Sequence, residues 1–327
     1  MRKSAIVKKM REIWKGTTNT HCDHPFFPRR WLRLFFIAAA CCCLLVFGGV
    51  GQRYRHVPGQ MCGLAQSFIG HMYAHGWLVG KDPSASVKWF KKSADGGSVV
   101  GQDELGWAYA TGAGVARDLA EAARLYRKSA EQGWAFAQCH LGGAYLRGEG
   151  VPKDSAEAVH WFRKAAKQGD PDAQCSLGWA YLYGDGVPKD SAQSVRWYQK
   201  AADQNDPYAQ CAVGVAYATG QGVFLDAAKG GEWFRKSANH GDPWGQFNLG
   251  LMYQNGTGLE QSSAQAADWY RKSADQGCAF AQNNLAGMYA RGEWVAKDLA
   301  EAAKWYRKAA AKGNAEAKDA LKRMGMD

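Results

Sequence analysis

From residue 65 onward the chain sets short apolar stripes between polar spacers in a strict rhythm. Within 137–169, Ala137, Leu141, Ala144 and Tyr145 fall at i, i+4, i+7 and i+8, which places them on one helical face. Gly148-Glu149-Gly150-Val151 should end that helix, because glycine accepts the positive φ found just past a helix terminus. Asp154 then stands where an N-cap belongs, and Glu157 three residues on would complete a capping box. Asp118/Glu121 and Asp298/Glu301 repeat that spacing. Ala158, Trp161, Phe162, Ala165 and Ala166 form a second stripe, closed by Gly169. Asp170-Pro171 caps and opens the next helix, as do Asp206-Pro207 and Asp242-Pro243. Each period therefore predicts a two-helix hairpin.

The period is 36 residues, without insertion or deletion. Gln holds 66, 102, 138, 174, 210, 246 and 282, and Tyr holds 73, 109, 145, 181, 217, 253 and 289. Gly recurs at 76, 112, 148, 184, 220, 256 and 292, and Trp at 89, 161, 197, 233, 269 and 305, with Leu125 in the remaining place. Seven units cover 65–316, and 317–327 reads as a capping helix. One hairpin cannot bury both its stripes, so neighbours must stack, and the expected fold is an all-α, right-handed α/α superhelical solenoid. Gly70, Gly106, Gly142, Gly178, Gly214 and Gly250, with Ala286, are expected to permit close approach between helices, and the periodic Trp to form the core.

Composition changes this picture only at the N-terminus. The chain has 327 residues and a net charge of +11. Residues 1–60 hold eleven Lys/Arg and two acids, whereas the remainder carries 30 basic and 28 acidic side chains. The solenoid is thus nearly neutral, and no nucleic-acid footprint is expected. The arm 1–33 leads into an uncharged run, Leu34 to Gly51, just long enough to span a bilayer, with Trp31 at the edge where headgroups lie. Nine Lys/Arg precede the run and only Arg53 and Arg55 follow closely. That asymmetry predicts a single-pass anchor preceding a linker at 52–64. The N-terminus would be cytoplasmic and the repeats periplasmic or luminal. A cleaved signal peptide, a lipoprotein signal around Ala38-Ala39-Ala40-Cys41, and a buried core helix are the other readings of the run.

The pattern AQxxLGxxYxxGxGVxKDxxxAxxWYRKAAxQG, clearest in AQCHLGGAYLRGEGVPKDSAEAVHWFRKAAKQGDPD at 137–172, resembles the Sel-1-like repeat family, a relative of the tetratricopeptide repeats. The likeness covers about four-fifths of the chain. It implies a scaffold or adaptor that binds a protein or peptide on a concave face lined by the first helix of each unit. Bacterial relatives accompany envelope assembly, secretion and host contact, so a secreted host-interaction adaptor is an alternative. Cysteine-rich members have been linked to β-lactam binding or hydrolysis, which supplies another.

By helical arithmetic, the third, fourth, seventh and eleventh positions of each unit turn away from the Leu/Tyr stripe. Trp107, Trp179 and Tyr183 offer aromatic area there, beside His140, Asn248 and Asn284. Asn248 and Asn284 match the family's usual Asn, and the resemblance implies that they clamp a partner's backbone. The Lys/Arg doublets, such as Arg163-Lys164, read as a solvated helix face. Catalytic patterns are missing: no Ser precedes a Lys by three residues, and there is no Lys-Thr-Gly, GxGxxG or P-loop. His71 and His75 lie four apart, with Glu104 in the next unit, but no third ligand is fixed by spacing, so neither metal nor cofactor is expected. Cys139, Cys175 and Cys211 occupy one position in consecutive units, too far apart for a bridge if stacked helices lie about 8–10 Å from one another. They read as a ladder of small, partly buried thiols.

Overall fold

The computed structural model describes residues 59–326. The basic arm, the apolar run 34–51 and the chain up to residue 58 lie outside the described residues. Among the described residues, all regular structure is helical, and no helix is long and apolar enough to cross a membrane.

The chain divides into two compact units, one ending at Lys189 and the other beginning at Asp190. The N-terminal unit contains α1 (Gly59–His75), α2 (Pro83–Asp95), α3 (Val99–Thr111), α4 (Leu119–Glu131), α5 (Ala135–Arg147), α6 (Ser155–Lys167) and α7 (Pro171–Tyr183). The C-terminal unit contains α8 (Ser191–Ala202), α9 (Pro207–Thr219), α10 (Ala227–Asn239), α11 (Pro243–Asn255), α12 (Ser263–Asp275), α13 (Ala279–Arg291), α14 (Leu299–Ala311) and α15 (Ala315–Met324).

Within each unit the hairpins stack through a repeated set of contacts. Asp170, Asp206 and Asp242 cap α7, α9 and α11, each with proline in the first helical turn. Asp154 accepts from the backbone N–H groups of Ala156 and Glu157 at 3.0 Å. The expected capping box is only half made. Glu157 does not reach back but accepts from Trp161 Nε1 at 2.8 Å, while Glu121 pairs with Arg124 and Glu301 with Lys304. A forward partner one turn on outcompetes the exposed backbone N–H.

The deep core belongs to the aromatic residue after each periodic Trp. Phe162, Phe234 and Tyr270 are fully buried, and each packs its ring against a glycine of the first helix. A Cβ on Gly142 would stand 2.7 Å from the Phe162 ring, and one on Gly250 would stand 2.8 Å from the Tyr270 ring. The close approach expected at these glycines is therefore mainly ring against backbone. The periodic Trp sit farther out: Trp161 and Trp305 are buried, but Trp89, Trp197, Trp233 and Trp269 are half-buried. Lysine of the doublet covers the ring, for example Lys236 at 3.9 Å from Trp233 and Lys308 at 3.8 Å from Trp305. Arginine of the doublet donates to the periodic Tyr of the following repeat, as in Arg127–Tyr145 (2.6 Å) and Arg235–Tyr253 (2.8 Å). The doublets are thus exposed but structural, which corrects their reading as a merely solvated face.

The periodic Gln is the main polar stitch. Gln138 Nε2 donates to the Ala130 carbonyl at the C-terminal end of α4, and its Oε1 accepts from Gln168 Nε2 at 2.8 Å. Gln246 repeats both bonds, to Ala238 and from Gln276. One side chain thereby satisfies a carbonyl at a helix end and joins two repeats, a task that suits an amide, which is donor and acceptor at once.

Candidate functional site

The third and fourth positions of each repeat do not form an open face. Asp103, Cys139, Cys175, Ser176, Cys211, Phe247 and Asn248 are all buried. In both units the third position of one repeat meets the fourth position of the next. Asp103 Oδ1 lies 2.8 Å from His140 Nδ1, and Asn248 Nδ2 donates to Cys211 Sγ at 3.5 Å. Arithmetic on a lone helix cannot see that neighbour. Asn248 is only 4% exposed, so its amide is spent inside the fold rather than presented to a partner. Asn284 is half-buried and bonds to the fully buried Tyr270 hydroxyl. Both amides thus make contacts between repeats, Asn248 buried and Asn284 half-buried. The thiols are likewise more deeply buried than expected: Cys175 and Cys211 are at most 1% exposed, and burial raises the Cys211 pKa well above the usual range. None of the described cysteines is in a disulfide.

The seventh and eleventh positions behave differently. Trp107 is half-buried on α3 and lines a cleft of about 250 Å³ with His140 of α5. Ala110, Ala122, Ala123 and Ala144 form its apolar wall, Tyr126 adds a ring 4.9 Å from His140, and Arg117, Arg147 and Glu149 stand among the polar lining. Trp179 and Tyr183 on α7 are also half-buried and pack together, ring centroids 5.0 Å apart. Trp107 and His140 are thus brought into one cleft, Trp179 and Tyr183 form a separate aromatic pair in the same unit, and Asn248 and Asn284 lie in the other unit.

Sequence reading passed over Gly143-Ala-Tyr-Leu-Arg147-Gly-Glu149, which recurs as Gly287-Met-Tyr-Ala-Arg291-Gly-Glu293. In each copy the arginine crosses the glycine and pairs with the glutamate, at 2.8 Å for Arg147 and 2.7 Å for Arg291. The recurrence itself was the available signal.

Next to the cleft the N-terminal unit carries two acid–histidine contacts. Glu104 Oε1 lies 3.1 Å from His71 Nε2, with both side chains mostly buried. Desolvation works against the His71 charge, but Glu104 outweighs it and the pKa ends above the ordinary value. Burial likewise works against the Glu104 carboxylate, and His71 outweighs it, so that acid ends below its ordinary range. Asp103 pairs with His140 and accepts from Trp134 Nε1 at 3.3 Å. His75 stacks on His71 and Trp77. Among the described residues no group of three His, Cys, Asp or Glu is arranged to hold a metal.

The Sel1 repeat model matches seven times, over 63–98, 99–134, 135–170, 171–206, 207–242, 245–278 and 279–314. The chain belongs to the Sel1 repeat family. Its frames begin two residues ahead of the sequence count in most units, which leaves α15 just beyond the last. Among solved structures, the chain is similar to a Sel1 repeat protein from Oxalobacter formigenes, at 33% identity and a TM-score of 0.67, with 90% of each chain covered. It is also similar to c5321, a protective antigen present in uropathogenic Escherichia coli strains, at 39% identity and a TM-score of 0.69 over 78% of this chain. The match spans about half, 55%, of the length of c5321. No curated protein matches the chain. Sel1 repeat proteins are in general protein-interaction scaffolds rather than enzymes, and this chain shares their all-helical repeat fold.

Proposed function

We propose that the chain is a membrane-tethered Sel1 scaffold that holds an extended polypeptide along the first-helix side of its N-terminal unit. The observation that carries this reading is the cleft in which Trp107 of one repeat and His140 of the next share a wall. A cleft of that size takes one or two side chains rather than a cofactor, and a tryptophan left partly open to solvent is a residue type that anchors protein partners. The Trp179–Tyr183 pair would receive the partner farther along the unit. The charge asymmetry about residues 34–51 supports a cytoplasmic N-terminus with the repeats on the far side of the membrane. The description of c5321 as a protective antigen accords with repeats displayed beyond the cytoplasm.

A photoreactive residue in place of Trp179 should crosslink a discrete polypeptide in cells. Trp107→Ala should abolish that adduct while leaving the helical circular dichroism unchanged, and an adduct that survives the substitution sinks the site. Labelling of a C-terminal tag by a membrane-impermeant reagent on intact cells or spheroplasts tests the topology. Protection of the tag until the membrane is broken overturns it.

A further inference from the structure

Adjacent residues of α3, Asp103 and Glu104, reach in opposite directions along the stack. Glu104 meets His71 of the preceding repeat and Asp103 meets His140 of the following one. The exposures are small: 12% and 18% for His71 and Glu104, 23% and 7% for His140 and Asp103. No other first helix joins its neighbours on both sides in this way among the contacts of the C-terminal unit, where the corresponding residues are Cys211, Ala212, Phe247, Asn248, Asn283 and Asn284. We propose that these two pairs, buried between consecutive first helices, form a pH-sensitive clasp that binds α1 and α5 to α3 and loosens as pH rises.

The charged surroundings of both histidines favour the closed form. His71 faces Glu104 from α3, His75 on its own helix and the Phe90 ring from α2, with Lys81 acting on His75 from the following loop. His140 faces Asp103 and Glu104 from α3, Tyr126 from α4 and Asp170 ahead of α7. Arg117 and Arg147 line the same cleft as His140, so it is the direct contact with Glu104 and Asp103, not an excess of carboxylates, that favours the closed form. Loss of the His71 proton removes the charge that chiefly offsets the burial of Glu104, and loss of the His140 proton leaves Asp103 with the hydrogen bond from Trp134 Nε1. The sign follows from the directions of shift. The His71 contribution is fully present below its ordinary 6.5 and lost as pH rises through its raised value. The Glu104 contribution is present above its ordinary 4.5 and lost as pH falls through its lowered value. The clasp is closed between those limits. Because His140 also lines the cleft, opening alters the shape of that wall, whatever the cleft holds.

Hydrogen exchange of the full chain between pH 6.5 and 8.5, corrected for the intrinsic rate, tests the device. Protection in α1 and α5 should fall several-fold as pH rises, while α13 stays level. His71→Gln/His140→Gln, which keeps side-chain hydrogen bonding without a titrating charge, should remove the dependence. Equal pH response in α1, α5 and α13, or a response that persists in the double variant, overturns the clasp. If the double variant does not fold, direct NMR titration of the wild-type histidines decides. His71 should titrate above 6.5, and an ordinary value rejects the proposal.

Discussion

The two units use the same hairpin and give its first-helix positions to different work. In the N-terminal unit, the seventh position holds Trp107 and Trp179, both only half-buried, and the fourth places Glu104 and His140 against charged partners. In the C-terminal unit the same positions hold Val215 and Leu251, both buried, and the amides of Asn248 and Asn284, which bond inward. What is common to both is the ring-on-glycine core and the glutamine stitch. A contact present in both units is needed to stack hairpins. A side chain that departs from it in one unit alone is where function can be looked for.

The largest expected effect separates the units by pH. Burial outweighs the hydrogen bonds from Gly245 and Ser237 and pushes the Asp242 pKa up to about 6, from an ordinary 3.8. A raised acid means that the folded state holds the proton more tightly than the unfolded chain does. Stability of the C-terminal unit should therefore fall as pH rises from about 4 to 6, by roughly 3 kcal/mol. Asp242→Asn keeps an N-cap and should flatten that slope, as read by denaturant unfolding at several pH values. If the slope survives, Asp242 is not its source. The clasp loses stability in a higher window, so the two titrations should be resolved in one series.

The shared core should respond equally in both units. Gly142→Ala and Gly250→Ala each drive a methyl against a ring and towards a carbonyl of the second helix, that of Ala158 or Ala266. Each should cost about 2 kcal/mol, the usual range for overpacking. A cost confined to one unit would show that the rings can give way in the other.

The pattern of the chain was enough to place the hairpins, their caps and the glutamine register. A 36-residue period averages out accidents of single residues, and the cap residues act locally. Its failures came from contacts between repeats. Asn248 and Cys175 look outward on an isolated helix but are buried in the stack, Asn248 against Cys211 of the preceding repeat. The Trp-plus-one aromatic was placed in the apolar stripe, but its greater depth was not seen, because within the same repeat its ring is received by a glycine of the paired helix. Trp107 and His140 could be singled out because they break the repeat, but only the fold brings them into one cleft.

A smaller effect probes the end of the glutamine stitch. Gln282 Nε2 donates to the Ala274 carbonyl, but its buried Oε1 has no hydrogen-bond donor. The residue that would serve it is Lys312, whose Nζ instead donates to the Gly277 carbonyl at 2.6 Å. Gln276, one repeat earlier, reaches both the Gly241 carbonyl and Gln246 Oε1. Lys312→Gln should reproduce that double bond and stabilise the C-terminal unit by about 1 kcal/mol. An unchanged midpoint would mean that water already serves the buried oxygen.

The smallest effect concerns the hairpin loop of the last repeat. Gly258 has φ of 71° and packs so closely on the backbone at Ala227 that any Cβ must clash. Trp294 takes the same place one repeat later, with φ of 67°, and remains 51% exposed. A non-glycine residue in the left-handed region costs about 1 kcal/mol, and an indole half in water recovers only part of that. Trp294→Gly should therefore stabilise the unit by about 0.5 kcal/mol, whereas Gly258→Ala should destabilise it clearly. If Trp294→Gly instead destabilises, the indole packs against the loop more strongly than its exposure indicates. A gain would mark Trp294 as a residue kept against its local cost, and would extend the search for a binding surface into the C-terminal unit.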